Sequence, residues 1–330
     1  MQPHINDMSN FSVLKKIAFT GALALVPEII TSPLERLKVR CYARQKYSTS
    51  SLFHYKETGK IFSEIITKEK NMGLMYGFKG CLDFALTQII CRFLVYDFVI
   101  GRSSDDEMNG IERRYRFSDI FFATICSSTI GAIVSQPSEV LKIKVQLEPL
   151  GENEKKFESY REKTQNIIQY HNGNQSVLFM PGLWEKILHR SCFFMTEVML
   201  FFQMRKMLKL EENYQEGVSQ SLQYASLAGC ASVLATIINQ PLEMLYHRQV
   251  FRYLSKAESW NGVKYLQVLV KNEGLSGLYK GILPCMAKNG LNNFALMFIM
   301  QKFLTYEGND LRRRKYDKDI LKQGYKRGNL

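Results

Sequence analysis

Residues 31–40 read TSPLERLKVR, residues 135–144 read SQPSEVLKIK and residues 239–248 read NQPLEMLYHR. Their prolines, Pro33, Pro137 and Pro241, are 104 residues apart both times. Two positions after each proline comes an acid: Glu35, Glu139 and Glu243. Three beyond that stand Lys38, Lys142 and, breaking the pattern, Tyr246; Arg40, Lys144 and Arg248 follow two later. One such string arises by chance in many chains. Three in register, each ending an apolar run, mark an internal repeat.

A second element follows each copy. GLMYGFKG (73–80) and GLSGLYKG (274–281) share a glycine, a short spacer, an aromatic residue and Lys-Gly. The middle copy, VLFMPGLW (177–184), keeps Phe179 and Gly182 but has Met180-Pro181 in place of the lysine. Around these elements lie six apolar stretches of about 20 residues or more, enough to cross a bilayer. They are roughly Leu14–Leu37, Cys81–Ile100, Phe117–Leu141, Glu185–Leu208, Leu222–Leu245 and Leu283–Leu304. None is purely apolar: Asp83, Gln88, Arg92 and Asp97 lie in the second, His189, Arg190 and Glu197 in the fourth, Lys288, Asn289, Asn292 and Asn293 in the sixth. Polar groups at that depth face a bundle interior or a wet cavity. A soluble helical bundle is the alternative, but Phe121–Val134 and Ala225–Ile238 carry no charge at all, which a surface helix would show.

The composition fits the same picture. The 330 residues carry 44 Lys+Arg against 31 Asp+Glu, a net charge of +13, with 46% hydrophobic residues. Mean hydropathy is only −0.18, because polar loops average against apolar stretches. Such apolar content excludes a disordered chain. The seven cysteines (41, 81, 91, 126, 192, 230, 285) are odd in number and never in C-x-x-C spacing, which argues against a disulfide framework or a metal site. No P-loop, dinucleotide turn or H-E-x-x-H appears, so an enzyme is not expected. The cations cluster at loops and helix ends, with no nucleic-acid-binding motif. The N-terminus resembles neither a secretory signal nor a transit peptide, so any organelle targeting is expected to be internal.

The triplicated motif resembles the signature of the mitochondrial carrier family, P-x-[DE]-x-x-[KR]-x-[KR] followed by [DE]-G-x-x-x-x-[YWF]-[KR]-G. The resemblance covers about residues 10–305. It implies an all-α membrane protein: six transmembrane helices in three pseudo-symmetric two-helix repeats around a central cavity. The expected organisation is an extension (1–13), repeats at 14–105, 106–210 and 211–305, and a basic tail (306–330). It also implies the mitochondrial inner membrane, with termini toward the intermembrane space. The tail holds eight Lys/Arg against four Asp/Glu, including RRRK at 312–315. It reads as a segment touching anionic lipid or docking a protein partner.

By that resemblance, Glu35, Lys38, Glu139, Lys142, Glu243 and Tyr246 form a gate at the matrix end. Glu35 would meet Lys142, Glu243 would meet Lys38, and Glu139 would meet Tyr246, which offers a hydrogen bond but no charge. Gln146 matches a bracing glutamine, a role that Tyr42 and Val250 do not fill. Tyr246→Arg is then expected to restore a third pair and stabilise the closed state. Lys79-Gly80, Gly182 and Lys280-Gly281 are the expected sites for lipid phosphate, cardiolipin above all, since helix N-termini attract anions.

Counting seven or eight residues past each glycine, as the family does, gives Thr87, Gln88, Arg190, Ser191 and Lys288 as the substrate site. His189 is an alternative to Arg190 if the second repeat slips by one residue, and Glu197 is a second possible partner for Arg190. Two cations within the membrane favour an anionic substrate. On the cytosolic side the family's [YF]-[DE]-x-x-[KR] survives only in fragments: Tyr96-Asp97, Phe202-Gln203 with Lys206, and MQKFL (300–304). The expected function is exchange of a small anion by alternating access, as an antiporter without a cofactor. The competing reading is a carrier-fold protein without transport, serving as a subunit or anchor of a large respiratory complex.

Overall fold

The computed structural model describes residues 13–44, 55–75, 77–103, 117–147, 160–170, 173, 178–208, 218–255 and 262–301. The described residues are all-α. Helices α1 (Val13–Ala43), α2 (Tyr55–Met75) and α3 (Phe78–Ser103) make the first third. Helices α4 (Phe117–Val134), α5 (Gln136–Leu147), α6 (Tyr160–Tyr170) and α7 (Leu183–Met207) make the second. The last third holds α8 (Val218–Leu254), α9 (Gly262–Glu273), a 3₁₀ turn at Leu275–Tyr279, and α10 over 282–301. Each third therefore runs long, short, long.

The long helices pack in chain order. α1 lies on α3, α3 on α4 and α5, α4 on α7, and α7 on α8. α10 meets α8 where Gly229 and Gly290 let the backbones close; a Cβ added at Gly229 would lie 3.2 Å from the Gly290 carbonyl oxygen. The Asn289 and Asn293 amides then donate to Thr236 Oγ1 (3.0 Å) and Ser232 Oγ (2.7 Å) on α8. Lys288 carries α10 back to α1 through Glu28 and Glu35, closing the circuit.

Proline does different things at the three corners. Pro27 and Pro33 lie inside a continuous α1, and Pro241 inside a continuous α8. Only the middle copy breaks: α4 and α5 meet at Ser135 with a bend of 58°. Pro137 has no amide hydrogen to offer the preceding turn. The chain crosses the break on Ser135 N–H to the Gly131 carbonyl and Glu139 N–H to the Ser135 carbonyl, both 3.1 Å. Gln136 spans outward, donating from Nε2 to the Pro181 carbonyl at 2.6 Å.

Among the described residues, Ser221–Leu254 is by itself long and apolar enough to cross a membrane, and Ser118–Val134 with Gln136–Leu147 qualifies as a bent pair. These and the other long helices also carry polar groups. Those groups, however, are turned inward. On α1, Glu28, Thr31, Ser32 and Glu35 are buried while Val26, Ile29 and Ile30 are exposed. On α4, Thr124, Ser127 and Ser128 are buried and Phe122, Ile130 and Ile133 exposed; on α8, Ser232, Thr236 and Asn239 oppose Leu222, Leu234 and Ile238. This is the reverse of a water-soluble bundle and suits an apolar solvent outside.

Candidate functional site

The inward charges collect where the three proline corners meet. Glu35, three residues before Lys38 on α1, shares a helix face with it, and the two pair at 2.8 Å. Lys38 Nζ also reaches Glu243 Oε1 on α8 at 2.9 Å. Lys142 Nζ on α5 reaches Glu35 Oε1 at 2.8 Å and lies 4.0 Å from the centre of the Phe84 ring. These two ion pairs cross between thirds of the chain, α1 to α8 and α5 to α1. All five of these side chains are buried.

Glu139 is treated differently. Tyr246, the neighbour expected from the sequence, lies beside it and its hydroxyl donates to Gln136 Oε1 at 3.5 Å. The charge comes from elsewhere. Lys186 Nζ on α7 is 2.8 Å from Glu139 Oε2, and Arg190 Nη2 on the same helix donates to Glu139 Oε1 at 3.2 Å. Lys186 is fully buried and was not among the expected site residues. Its only sequence signal is a lysine one turn into an apolar helix. Glu197, a possible internal partner of Arg190 by sequence, accepts instead from Asn293 Nδ2 at 2.7 Å.

The other expected substrate cation is engaged in the same way. Lys288 Nζ lies 2.7 Å from Glu35 Oε2 and 3.7 Å from Glu28 Oε1. Arg190 and Lys288 therefore meet two different corners, Glu139 and Glu35. Gln88 is buried with its Nε2 unpartnered among the described residues. Thr87 Oγ1 donates to the Asp83 carbonyl of its own helix at 2.7 Å. The Ser191 hydroxyl lies 3.3 Å from both Ser128 Oγ and Thr129 Oγ1, tying α7 to α4. His189, the alternative to Arg190, puts Nε2 3.8 Å from Glu243 Oε2. Gln146 does not brace the Lys142 pair: its Nε2 donates to Cys81 Sγ at 3.1 Å, and its carbonyl accepts Arg40 Nε at 3.0 Å.

The helix entrances also depart from expectation. α2 runs through Gly73, so the left-handed glycine before α3 is Gly77 (φ +85°), and Lys79-Gly80 fall in the first turn of α3. Gly182 (φ +62°) and Gly281 (φ +67°) precede α7 and α10. All three glycines admit the next proline-corner helix at close range: an added Cβ would lie 3.0 Å from Gln146 Cγ on α5, 3.0 Å from Tyr246 Cδ2 on α8 and 2.8 Å from Tyr42 Cε1 on α1, respectively. Four residues on, equivalent backbone bonds run from Cys81, Lys186 and Cys285 to these glycine carbonyls (3.2, 2.9 and 3.2 Å). Outside the apolar bundle, Glu273 accepts from Arg248 and Lys280, while burial pulls the Lys280 ammonium below its ordinary pKa against the opposing pull of Glu273. In the first third, Glu69 pairs with Arg36 and, at 2.9 Å, with Arg40. The side chains of Tyr96 and Asp97, residues 302–304 and the tail from 306 lie outside the described residues.

This arrangement is a buried ionic closure at one end of a polar-lined bundle, and known proteins share its sequence. A family model described as "Mitochondrial carrier protein" matches residues 218–309. The chain is 24% identical over 291 residues to the mitochondrial brown fat uncoupling protein 1 of Ovis aries, covering 86% of this chain and 88% of that protein. It is 21% identical over 286 residues to the mitochondrial citrate transporter F of Aspergillus niger, covering 86% and 87%. It is 22% identical over 275 residues to the mitochondrial uncoupling protein 4C of Drosophila melanogaster, covering 77% and 78%. With its all-α fold and its three proline corners, the chain is similar over most of its length to mitochondrial carrier proteins, and its last third matches that family's model.

Proposed function

We propose that the protein exchanges a small anionic solute, carrying carboxylate or phosphate groups, across the mitochondrial inner membrane by alternating access. In this reading six helical spans, α1, α3, α4–α5, α7, α8 and α10, surround the path, with both termini toward the intermembrane space. One observation carries the choice of cargo: Arg190 and Lys288 are held by the gate carboxylates Glu139 (3.2 Å) and Glu35 (2.7 Å). An anion that binds both cations competes directly with those carboxylates. A guanidinium suits carboxylate or phosphate oxygens through paired N–H bonds. The unpartnered Gln88 amide is a further donor for the same cargo, with Thr87 and Ser191 supporting the helices around it. The citrate transporter among the relatives favours a carboxylate.

Cargo binding then loosens the closure. A pair of unit charges near 4 Å is worth up to about 4 kcal/mol at an effective dielectric constant of 20, before desolvation is subtracted. A gate whose states differ by a few kcal/mol is biased by trading such contacts. In the same reading, cardiolipin phosphates seat at the starts of α3, α7 and α10 near Lys79, Gly80, Gly182, Lys280 and Gly281. Of the two lysines, Lys79 is exposed and Lys280 is committed to Glu273.

The second reading, a transport-inactive subunit or anchor of a larger membrane complex, draws on the cytosolic side, where Phe202-Gln203 precedes Lys206 without an acid. Purified protein in liposomes separates the two. Exchange of a di- or tricarboxylate, or of a phosphate ester, that is lost in Arg190→Gln supports the carrier. Absence of exchange across a panel of carboxylates, phosphates, nucleotides and amino acids, together with co-migration with a respiratory complex in mild detergent, supports the subunit.

A further inference from the structure

We propose that Lys186 is the base of the third gate corner, taking over the charge that position 246 lacks, so that this corner latches within its own third of the chain. The symmetry of the fold makes the case. Cys81, Lys186 and Cys285 hold equivalent places, four residues into α3, α7 and α10, each bonded through its amide to a left-handed glycine. That place lies against the gate: Cys285 Sγ donates to Glu243 Oε2 at 3.0 Å, and Lys186 pairs with Glu139 Oε2 at 2.8 Å. Two of the three carry a thiol there and one carries a cation. On the proline-corner helices the pattern is complementary, since Lys38 and Lys142 serve Glu243 and Glu35, and Tyr246 stands opposite Glu139. The one corner without a base on the neighbouring proline-corner helix, α8, is the one with a base at this place on α7.

Lys186 also grips the bend. Its Nζ lies 3.1 Å from Ser135 Oγ, at the break between α4 and α5, so one ammonium holds the Glu139 carboxylate and the hinge residue together. Glu139 already meets Lys186, Arg190 at 3.2 Å and Lys142 at 3.9 Å. A fourth cation at 246 would enter a place whose negative charge is spent. The expected sign of Tyr246→Arg is therefore reversed from that drawn from the sequence.

The inference rests on reading the three corners as a gate, and a thermal cycle on the detergent-purified full chain, without cargo, tests it apart from transport. Lys186→Met is expected to lower the melting temperature by several degrees, and Tyr246→Arg alone to lower it as well. Lys186→Met with Tyr246→Arg is expected to melt above Lys186→Met, because a cation from the neighbouring helix now serves Glu139. A packing role for Lys186 would not be rescued from 60 residues away. If Lys186→Met yields no folded protein, the same cycle runs with Lys186→Gln, and recovery of folded protein in the double variant counts as rescue. The proposal is overturned if Tyr246→Arg stabilises the otherwise unaltered chain, or if the double variant is no more stable than the Lys186 single. Loss of liposome exchange with this cycle intact would break the transport reading alone.

Discussion

The corners at Glu35 and Glu243 and the corner at Glu139 start from the same motif and end in different bonding. The first two are bridged between thirds of the chain, by Lys142 from α5 and Lys38 from α1. The third is held from within, by Lys186 and Arg190 of α7. A bridge between thirds must break for the bundle to part at that seam. A latch within one third can travel with it as a unit. The comparison teaches that three corners built on one motif can each keep a charged partner while, among the described residues, only two of the seams between them are cross-linked by ions. The seam facing Tyr246 is then closed by packing: Tyr246 is buried among Val39, Val140 and Val250, and the glycine at 182 lets the start of α7 touch its ring.

The strongest way to break this comparison is to cut a cross-seam bridge. Lys142→Met leaves Glu35 beside Lys38 and Lys288 but removes the only link from α5 to α1 of this kind among the described contacts. Removing one partner of a buried pair costs about 3–5 kcal/mol. The melting temperature should fall further than for Lys186→Met, which cuts no bridge between thirds of the chain. An equal or smaller fall would mean that the seams are not distinguished by their ions.

Cargo recognition comes next in size. Arg190→Gln and Lys288→Gln should each reduce exchange in liposomes at least tenfold, about 1.4 kcal/mol or more of lost interaction. Each also frees a gate carboxylate, Glu139 or Glu35, from one competitor. If the two variants lower stability but leave the exchange rate per folded molecule unchanged, the cations belong to the gate alone.

Gly182→Ala probes the packed seam. At φ +62° an L residue is strained by roughly 1–2 kcal/mol, and the new methyl group presses on Tyr246. Tyr246→Ala in the same chain should remove the contact part of that penalty and leave the backbone part, which a double-mutant cycle by chemical denaturation reads directly. Additive losses would show that ring and turn are not in contact.

The smallest effect is expected at Cys285→Ser. The hydroxyl can keep the bond to Glu243 Oε2, so stability should change by no more than about 1 kcal/mol. The same substitution at Lys186 should be far worse, although the two places are equivalent in the fold. Similar losses at both would remove the distinction between a thiol corner and a cationic one.

Much of this molecule is legible without coordinates. Triplicated proline corners and charge-free stretches such as Phe121–Val134 suffice for an all-α membrane bundle. The spacing of Glu35 and Lys38 puts both on one helical face by local geometry alone. Helix entrances are less legible: GLMYGFKG and GLSGLYKG look alike, yet the positive-φ glycine is Gly77 in one, while Gly274 and Gly281 both take that conformation in the other. Gly73 is tolerated inside α2, and the choice of turn is decided by which glycine must lie against Gln146.

The sequence by itself determined the repeat, its period of 104 residues, and which charges stand at each corner. Only the tertiary structure decided who neutralises Glu139. Coulomb attraction depends on distance in space, and Lys186 is 47 positions from Glu139 along the chain, across a short helix and a turn. No periodicity links the two. A left-handed glycine pressed against Tyr246 aims α7 so that the lysine arrives 2.8 Å from the carboxylate that the tyrosine could not neutralise.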